Sequence, residues 1–369
     1  MTAPLTPLVA GLPATVPFVG PEKQERDRGR PFAARIGANE SVFGPSPLAV
    51  EAMQRAAPEM WMYCDPDNHD LRQALAAHLG VPGESIVIGE GIDGLLGYTV
   101  RLFVEPGQKV VTSAGAYPTF NYHVAGFGGE LVTVPYRYDA EDPEALAGAA
   151  RESGARLVYI ANPDNPMGTW APAERISRLI AAMPEGCLLC LDEAYIEFAP
   201  ESTAPDWDVS DPRVIRFRTF SKAYGLAGLR IGYAVAAPET AAAFNRIRNH
   251  FGVSRMAQIA ALAALGDEAH LASVQAGVAA ARIRIGEIAA ASGLGCLPSA
   301  TNFVAVDCGA DGDFARRVLA GLLARDIFVR MPGTAPQDRC IRISAGRGHD
   351  LDLLAAALPA ALADAKDQV

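Results

Sequence analysis

Along the chain the apolar positions change period several times. From about residue 47 to 110 they recur at helical spacing, in LAVEAMQRAAPEM, in DLRQALAAHLG and in a segment opening at GEGIDGLLGYTVRLFV. The middle then alternates. KVVTS, ELVTVPY, ARLVYIANP and CLLCLDEAYI are short apolar runs that predict strands. PTFNYHVAGFGG, PEALAGAARESG and ERISRLIAAMP lie between them and predict helices. VIRFRTFSK and LRIGYAVAA follow as further strands. Short apolar runs separated by helical patterns predict an α/β fold, a mainly parallel sheet with helices on both faces.

Beyond residue 240 come long Ala-rich helical stretches. A last unit has strands TNFVAVDC and CIRISAG, with the helix DFARRVLAGLLARD and the run IFVR between them. This predicts a smaller α/β domain beginning near residue 270. Residues 1–44 are rich in Pro and Gly and read as an extended arm. The chain therefore divides into an arm at 1–46 that also contributes to the small domain, a large domain at 47–270 and a small C-terminal domain at 271–369. Neither solenoid-period repeats nor low-complexity tails interrupt it.

Composition narrows the function. A chain of 369 residues, half hydrophobic and one-fifth charged, has the balance of a globular protein with a sizeable core. A formal net charge of −10 argues against nucleic acid as a partner, because phosphates demand a basic footprint. It leaves room for a small anionic substrate in a locally positive pocket. The opening MTAPLTPLVAGLPATVPFVG lacks a charged start and is broken by prolines, so it does not read as a signal peptide. No apolar run is long enough to span a membrane. The six cysteines are scattered and imply no disulfide framework. Cys187 and Cys190 form a C-x-x-C within one strand and read as small buried hydrophobes facing opposite ways. A cytoplasmic protein is expected.

In open α/β sheets chemistry gathers at the carboxyl ends of strands. The polar residues there are Tyr117, Asn165, Asp192, Tyr195 and the pair Ser221-Lys222. In IANPDNPMGTW two X-Pro pairs fix an irregular turn that can aim Asn165 into a cleft, though an ordinary Asx-type turn fits equally. Asp192 ends an apolar strand, where a carboxylate needs a cationic partner or a capping role. It could bond a protonated pyridine nitrogen. Lys222 stands in FRTFSKAYGLAGLRIGYA, a segment low in charge and rich in glycine. Thr219 and Ser221 flank it and Arg230 follows. A lysine so placed suits an aldehyde, and hydroxyls with an arginine suit a phosphate. Gly91, Ile92 and Asp93 open a helix whose amides can meet a phosphate.

Together NPDNPMG, DEAYIEF and SKAYGLAGLRIGY, in that order and with Asp192 thirty residues before Lys222, resemble the fold-type-I pyridoxal-phosphate (PLP) aminotransferases. The histidinol-phosphate aminotransferase branch is the most similar. The likeness runs from IGANESVFGPSP to IRISAGRG. It implies that the large domain binds pyridoxal 5′-phosphate and that no metal is needed. It implies Lys222 as Schiff-base lysine and proton shuttle, and Asp192 as partner of the pyridine nitrogen. Asn165 and Tyr195 would bond the ring's phenolic oxygen, and Tyr117 would stack on the ring. Thr219, Ser221, Arg230 and the amides of Gly91, Ile92 and Asp93 would hold the phosphate. Tyr63, in WMYCDPDNHDLR, is similar to the tyrosine that reaches the phosphate from a neighbouring subunit, which implies a homodimer with shared sites. Arg342 would clamp the substrate's anionic group and Asn39 would line its pocket. Arg330 is a second anion contact or a plain surface arginine. The substrates implied are an amino donor and a 2-oxo acid such as 2-oxoglutarate.

The chain departs from the family pattern twice. Its arm reads Asn39-Glu40-Ser41-Val42-Phe43-Gly44 where the family usually has Asn-Glu-Asn-Pro-Tyr-Gly. Its glycine turn reads Gly-Glu-Gly-Ile-Asp-Gly in place of Gly-Asn-Gly-Ser-Asp-Glu. Both bear on the substrate pocket more than on the cofactor. Three activities share these motifs: transamination, lyase chemistry of the threonine-phosphate decarboxylase type, and a non-catalytic PLP-binding sensor.

Overall fold

The computed structural model describes residues 3–14 and 18–367. Its strands in chain order are β1 (Ala34–Arg35), β2 (Ile86–Gly89), β3 (Lys109–Ser113), β4 (Glu130–Val134), β5 (Leu157–Ala161), β6 (Leu188–Asp192), β7 (Val214–Thr219), β8 (Gly232–Val235), β9 (Gly295–Cys296), β10 (Phe303–Asp307), β11 (Ile327–Phe328) and β12 (Cys340–Ser344). Seven of them form one sheet in the order β2-β8-β7-β6-β5-β3-β4. The run from β7 to β4 is parallel, and β8 is antiparallel to both of its neighbours. The mainly parallel α/β sheet is as expected.

The two-residue period explains why both faces are covered. Val110, Leu157, Tyr159, Cys190, Ile215 and Phe217 pack into one core. Their alternates Val111, Val158, Ile160, Leu189 and Leu191 pack into another. Strands buried on both faces read as unbroken apolar runs, which is why they were visible in the sequence. Cys190 joins the first core and Cys187 the second, as opposite-facing small hydrophobes should.

Two smaller sheets complete the chain. One has the order β12-β10-β9 and the other pairs β1 with β11 in parallel. Residues 34–35 thus pair with residues 327–328.

The structure corrects three expectations. The arm is not simply extended, since it holds a short helix Pro7–Ala10 and a longer one Pro21–Arg28. Pro21 sits at the start of the second, where its missing N–H is no loss, and Gly29 ends it at φ 72°. This helix is polar on all sides and shows no apolar period. It is tied down instead by Arg28 to Asp326 and by Glu25 Oε1, which accepts the Phe32 N–H at 3.0 Å. Next, β2 lies inside the stretch read as helical. Its four residues are too few to separate a strand from a buried helical turn by pattern. Finally, CLLCLDEAYI is strand only as far as Asp192. Asp192 Oδ1 accepts the Ala194 N–H at 3.0 Å and turns the chain, so Tyr195 stands beyond the strand.

Candidate active site

The site lies at the carboxyl ends of β3, β5, β6 and β7, beside the point where strand order reverses between β3 and β5. Tyr117 follows β3, Asn165 follows β5, Asp192 ends β6, and Lys222 lies three residues past β7. The small sheet contributes Arg342 from β12, and the arm contributes Asn39.

Lys222 Nζ donates to the Asn39 carbonyl at 3.2 Å and sits 5.7 Å from the Tyr195 ring centre. Burial, with repulsion from Arg342 and Arg230, lowers its pKa to about 8. The chain's other lysines, Lys23, Lys109 and Lys366, are exposed. The surroundings of Lys222 therefore bring a neutral amine within reach just above neutral pH.

Asp192 is buried beside Lys222. Its Oδ2 accepts the Tyr159 hydroxyl at 2.7 Å, and its Oδ1 takes the Ala194 amide. Burial pushes its pKa up to about 6 despite those two bonds. Among the described residues it makes no salt bridge, and a cation placed against it would bring its pKa back down and secure its charge. Tyr159 itself stacks on Phe120 at 4.4 Å, which fixes the hydroxyl. It was read only as part of an apolar strand. The available signal was its own chemistry, since a fully buried tyrosine hydroxyl needs a partner.

Asn39, at φ 57°, is a hub. Its Nδ2 donates to the Tyr195 hydroxyl at 3.1 Å, and its Oδ1 accepts from Ser344 Oγ at 3.0 Å. Its carbonyl takes Lys222 Nζ and also Asn302 Nδ2 at 3.0 Å. The side chain placed in the substrate pocket by sequence is thus turned toward Tyr195 and Ser344. Asn165 Oδ1 accepts from Arg342 Nη1 at 2.6 Å. Tyr195 O–H and Asn165 Nδ2 remain as donors. Tyr117 caps the helix Pro118–Gly126, and burial pushes its hydroxyl up to about 12.

The glycine turn and the Lys222 loop meet. Gly91 has φ 76°, and a Cβ there would lie 2.7 Å from Arg230 Nη2. Only glycine lets the guanidinium come so close to the helix start. Arg230 Nη1 also reaches Ser221 Oγ at 3.5 Å. Thr219 also has a role within the chain. Its hydroxyl accepts the Ser221 N–H at 3.0 Å and donates to the Ile231 carbonyl at 3.4 Å, so it braces the turn. Asp93 Oδ1 lies 3.0 Å from His123 Nε2, a neighbour not picked out from sequence.

Arg330 and Arg342 face one another across an antiparallel bridge, which puts their side chains on one face. Burial, then Arg342, lowers Arg330 to about 10, and burial lowers Arg342 as well. Among the described residues neither pairs with a carboxylate. Phe18 lies over the Arg330 guanidinium at 3.6 Å. Tyr63 is exposed and tilts against Phe251 at 5.1 Å, apart from the other residues.

A half-buried lysine, a buried aspartate and a glycine-framed arginine on an α/β sheet define a carbonyl-cofactor transferase of this fold. Residues 35–358 match the family described as aminotransferase class I and II, and the chain belongs to it. It is a PLP-dependent aminotransferase, which selects transamination among the three activities the motifs share. It is similar to histidinol-phosphate aminotransferase 1 of Nitrosococcus oceani, 36% identical over 94% of this chain and 91% of that protein. Histidinol-phosphate aminotransferase 2 of Ralstonia nicotianae is 38% identical over 90% of this chain and 89% of its own. Among solved structures, the histidinol-phosphate aminotransferase of Sinorhizobium meliloti in complex with pyridoxal-5′-phosphate is 58% identical. It superposes with a TM-score of 0.96 over 98% of both chains.

Proposed function

We propose that this aminotransferase takes a phosphorylated amino donor of the histidinol-phosphate kind and passes its amino group to a 2-oxo acid such as 2-oxoglutarate. The observation that carries this reading is the pair Arg330 and Arg342, two guanidiniums on one face that, among the described residues, make no salt bridge. A dianionic phosphate satisfies two such cations better than a single carboxylate does. The Sinorhizobium meliloti relative supports the same choice.

The residues present fit the cofactor. Gly91, Ile92, Asp93, Ser221 and Arg230 form a cradle of amides, a hydroxyl and a guanidinium for its phosphate. Asp192 supplies the anion for a ring nitrogen, Tyr195 and Asn165 the donors for a ring oxygen, and Tyr117 a flat face. When bound, the cofactor draws electrons from the substrate's α-carbon. Lys222 would hold it covalently and, once released as a neutral amine, take and return the α-proton. Asn39 keeps Lys222 Nζ and the Tyr195 hydroxyl in place, and Tyr159 orients Asp192. Arg342, aimed by Asn165, fixes the substrate's anionic end with Arg330.

Three further readings follow. The large sheet at 47–270 would form one domain, and 271–369 with the arm the other. Tyr63, with Trp61 and Phe251 also exposed, would meet a second copy and complete its phosphate site in a homodimer. Six unpaired cysteines support a reducing, cytoplasmic setting. No helix among the described residues is long and apolar enough to cross a membrane.

The test is a donor panel with 2-oxoglutarate. The expected outcome is a kcat/KM for histidinol phosphate that exceeds that for unphosphorylated histidinol by on the order of 100-fold or more. Equal turnover of the two donors would refute the substrate assignment.

A further inference from the structure

One buried polar cluster behind the site has no part in the chemistry above. Glu141 lies between β4 and the helix Pro143–Ser153, and Asp164 lies in the turn after β5. They are 6% and 2% exposed. The two carboxyls lie close enough that each acts on the other's ionisation. The hydrogen-bond partners of both are neutral donors. Ser113 Oγ donates to Glu141 Oε2 at 2.6 Å and Ala161 N–H to Oε1 at 2.9 Å. The Tyr136 hydroxyl donates to Asp164 Oδ1 at 2.8 Å and Met167 N–H to Oδ2 at 3.0 Å. Among the described residues neither carboxyl makes a salt bridge. Two neighbouring buried carboxylates without a cation cannot both be ionised without strong repulsion, and one proton held between them relieves it.

The charged and titratable groups facing the pair are few. Tyr136 follows β4, Tyr159 is on β5, Asp192 ends β6, and Arg342 reaches toward Asp164 from β12. Burial drives Asp164 up to about 7. Burial and then Asp164 drive Glu141 well above the usual carboxylate range.

Asp164 also clasps the turn that presents its neighbour Asn165. Its N–H donates to the Thr169 carbonyl at 2.8 Å and its carbonyl accepts from Gly168 N–H at 3.1 Å, while its side chain holds Met167. Asn165 in turn holds Arg342. We propose that Glu141 and Asp164 share a single proton, and that this pair positions the turn so that Asn165 aims Arg342 at the substrate's anion. The positioning half rests on the reading of Arg342 given above. When pH rises and the proton leaves, two buried charges repel, the turn loosens and the anion binds less tightly.

The experiment uses holoenzyme and two readouts. Infrared titration from about pH 6 to about pH 9 follows the carbonyl stretch of a protonated buried carboxyl, whatever the activity. Binding of sulfate, which does not titrate in this range, follows the anion site. Wild type should lose the infrared band as pH rises, with sulfate affinity falling on the order of tenfold over the same step. Glu141→Gln replaces the shared proton with a permanent N–H donor, so it should lack both the band and the step. Tyr136→Phe removes a donor to the Asp164 carboxylate and should move both to higher pH. No band at any pH, or an unchanged step in Glu141→Gln, overturns the proposal. A band that titrates normally while sulfate never binds overturns the positioning role and the Arg342 reading but leaves the shared proton standing.

Discussion

Two charge clusters, one buried and one opening to the site, are built in opposite ways. Beside the site, Glu193 is 1% exposed and saturated. Arg216 Nη2 donates to its Oε1 at 2.7 Å, and Arg216 Nε and Arg218 Nε donate to its Oε2 at 3.2 and 3.0 Å. Trp207 lies under both guanidiniums, 3.8 and 4.7 Å away. Burial raises Glu193, but Arg218 and Arg216 outweigh it and hold the carboxyl below its ordinary value. In the site itself, among the described residues, Lys222, Arg230, Arg330 and Arg342 have no carboxylate in salt-bridge contact, and Asp192 makes no salt bridge. The first cluster is finished by the chain alone. The second is finished only by cofactor and substrate. The difference teaches that unpaired charge, rather than buried charge as such, marks the reactive region.

That contrast can be broken most sharply at Lys222. Lys222→Ala should cut transamination by on the order of 10⁴-fold while leaving the thermal midpoint near wild type. Steady-state turnover together with a melting curve checks both halves. Next comes the finished cluster. Glu193→Gln strands two guanidiniums and should cost about 3–5 kcal/mol in urea unfolding, with KM for the donor little changed. Arg342→Ala should do the reverse, raising donor KM on the order of 100-fold with no loss of stability, since it relieves repulsion with Arg330 and Lys222. A similar stability loss in both variants would erase the distinction.

A pH effect sharpens it further. Cofactor capture needs neutral Lys222, and the neutral fraction grows as pH rises through about 8. The rate of cofactor uptake by cofactor-free protein should follow that midpoint. In Arg342→Ala it should move to higher pH, because a neighbouring positive charge has been removed. The smallest effect is at Tyr159. Tyr159→Phe deletes one hydrogen bond to Asp192 and should lower kcat roughly tenfold, about the worth of one such bond.

The strand ends were legible because each polar residue interrupts an apolar run. Tyr117, Asn165, Asp192 and Lys222 could be placed on one edge before any coordinates. What escaped depends on pairings between distant parts of the chain. Asn39 meets Ser344 across 305 residues, and neither residue signals that in its own surroundings. Tyr159 was hidden by the apolar strand around it, and Glu141 by an ordinary-looking polar loop. The helix Pro21–Arg28 escaped because nothing periodic marks a helix held by ion pairs to a remote loop. Thr219 shows the remaining limit, since a hydroxyl's partner cannot be read from its position alone.

The most direct test of the account is borohydride reduction of the holoenzyme followed by peptide mass mapping. The account predicts a single cofactor adduct on Lys222. An adduct on Lys23, Lys109 or Lys366 instead, or none at all, would contradict it.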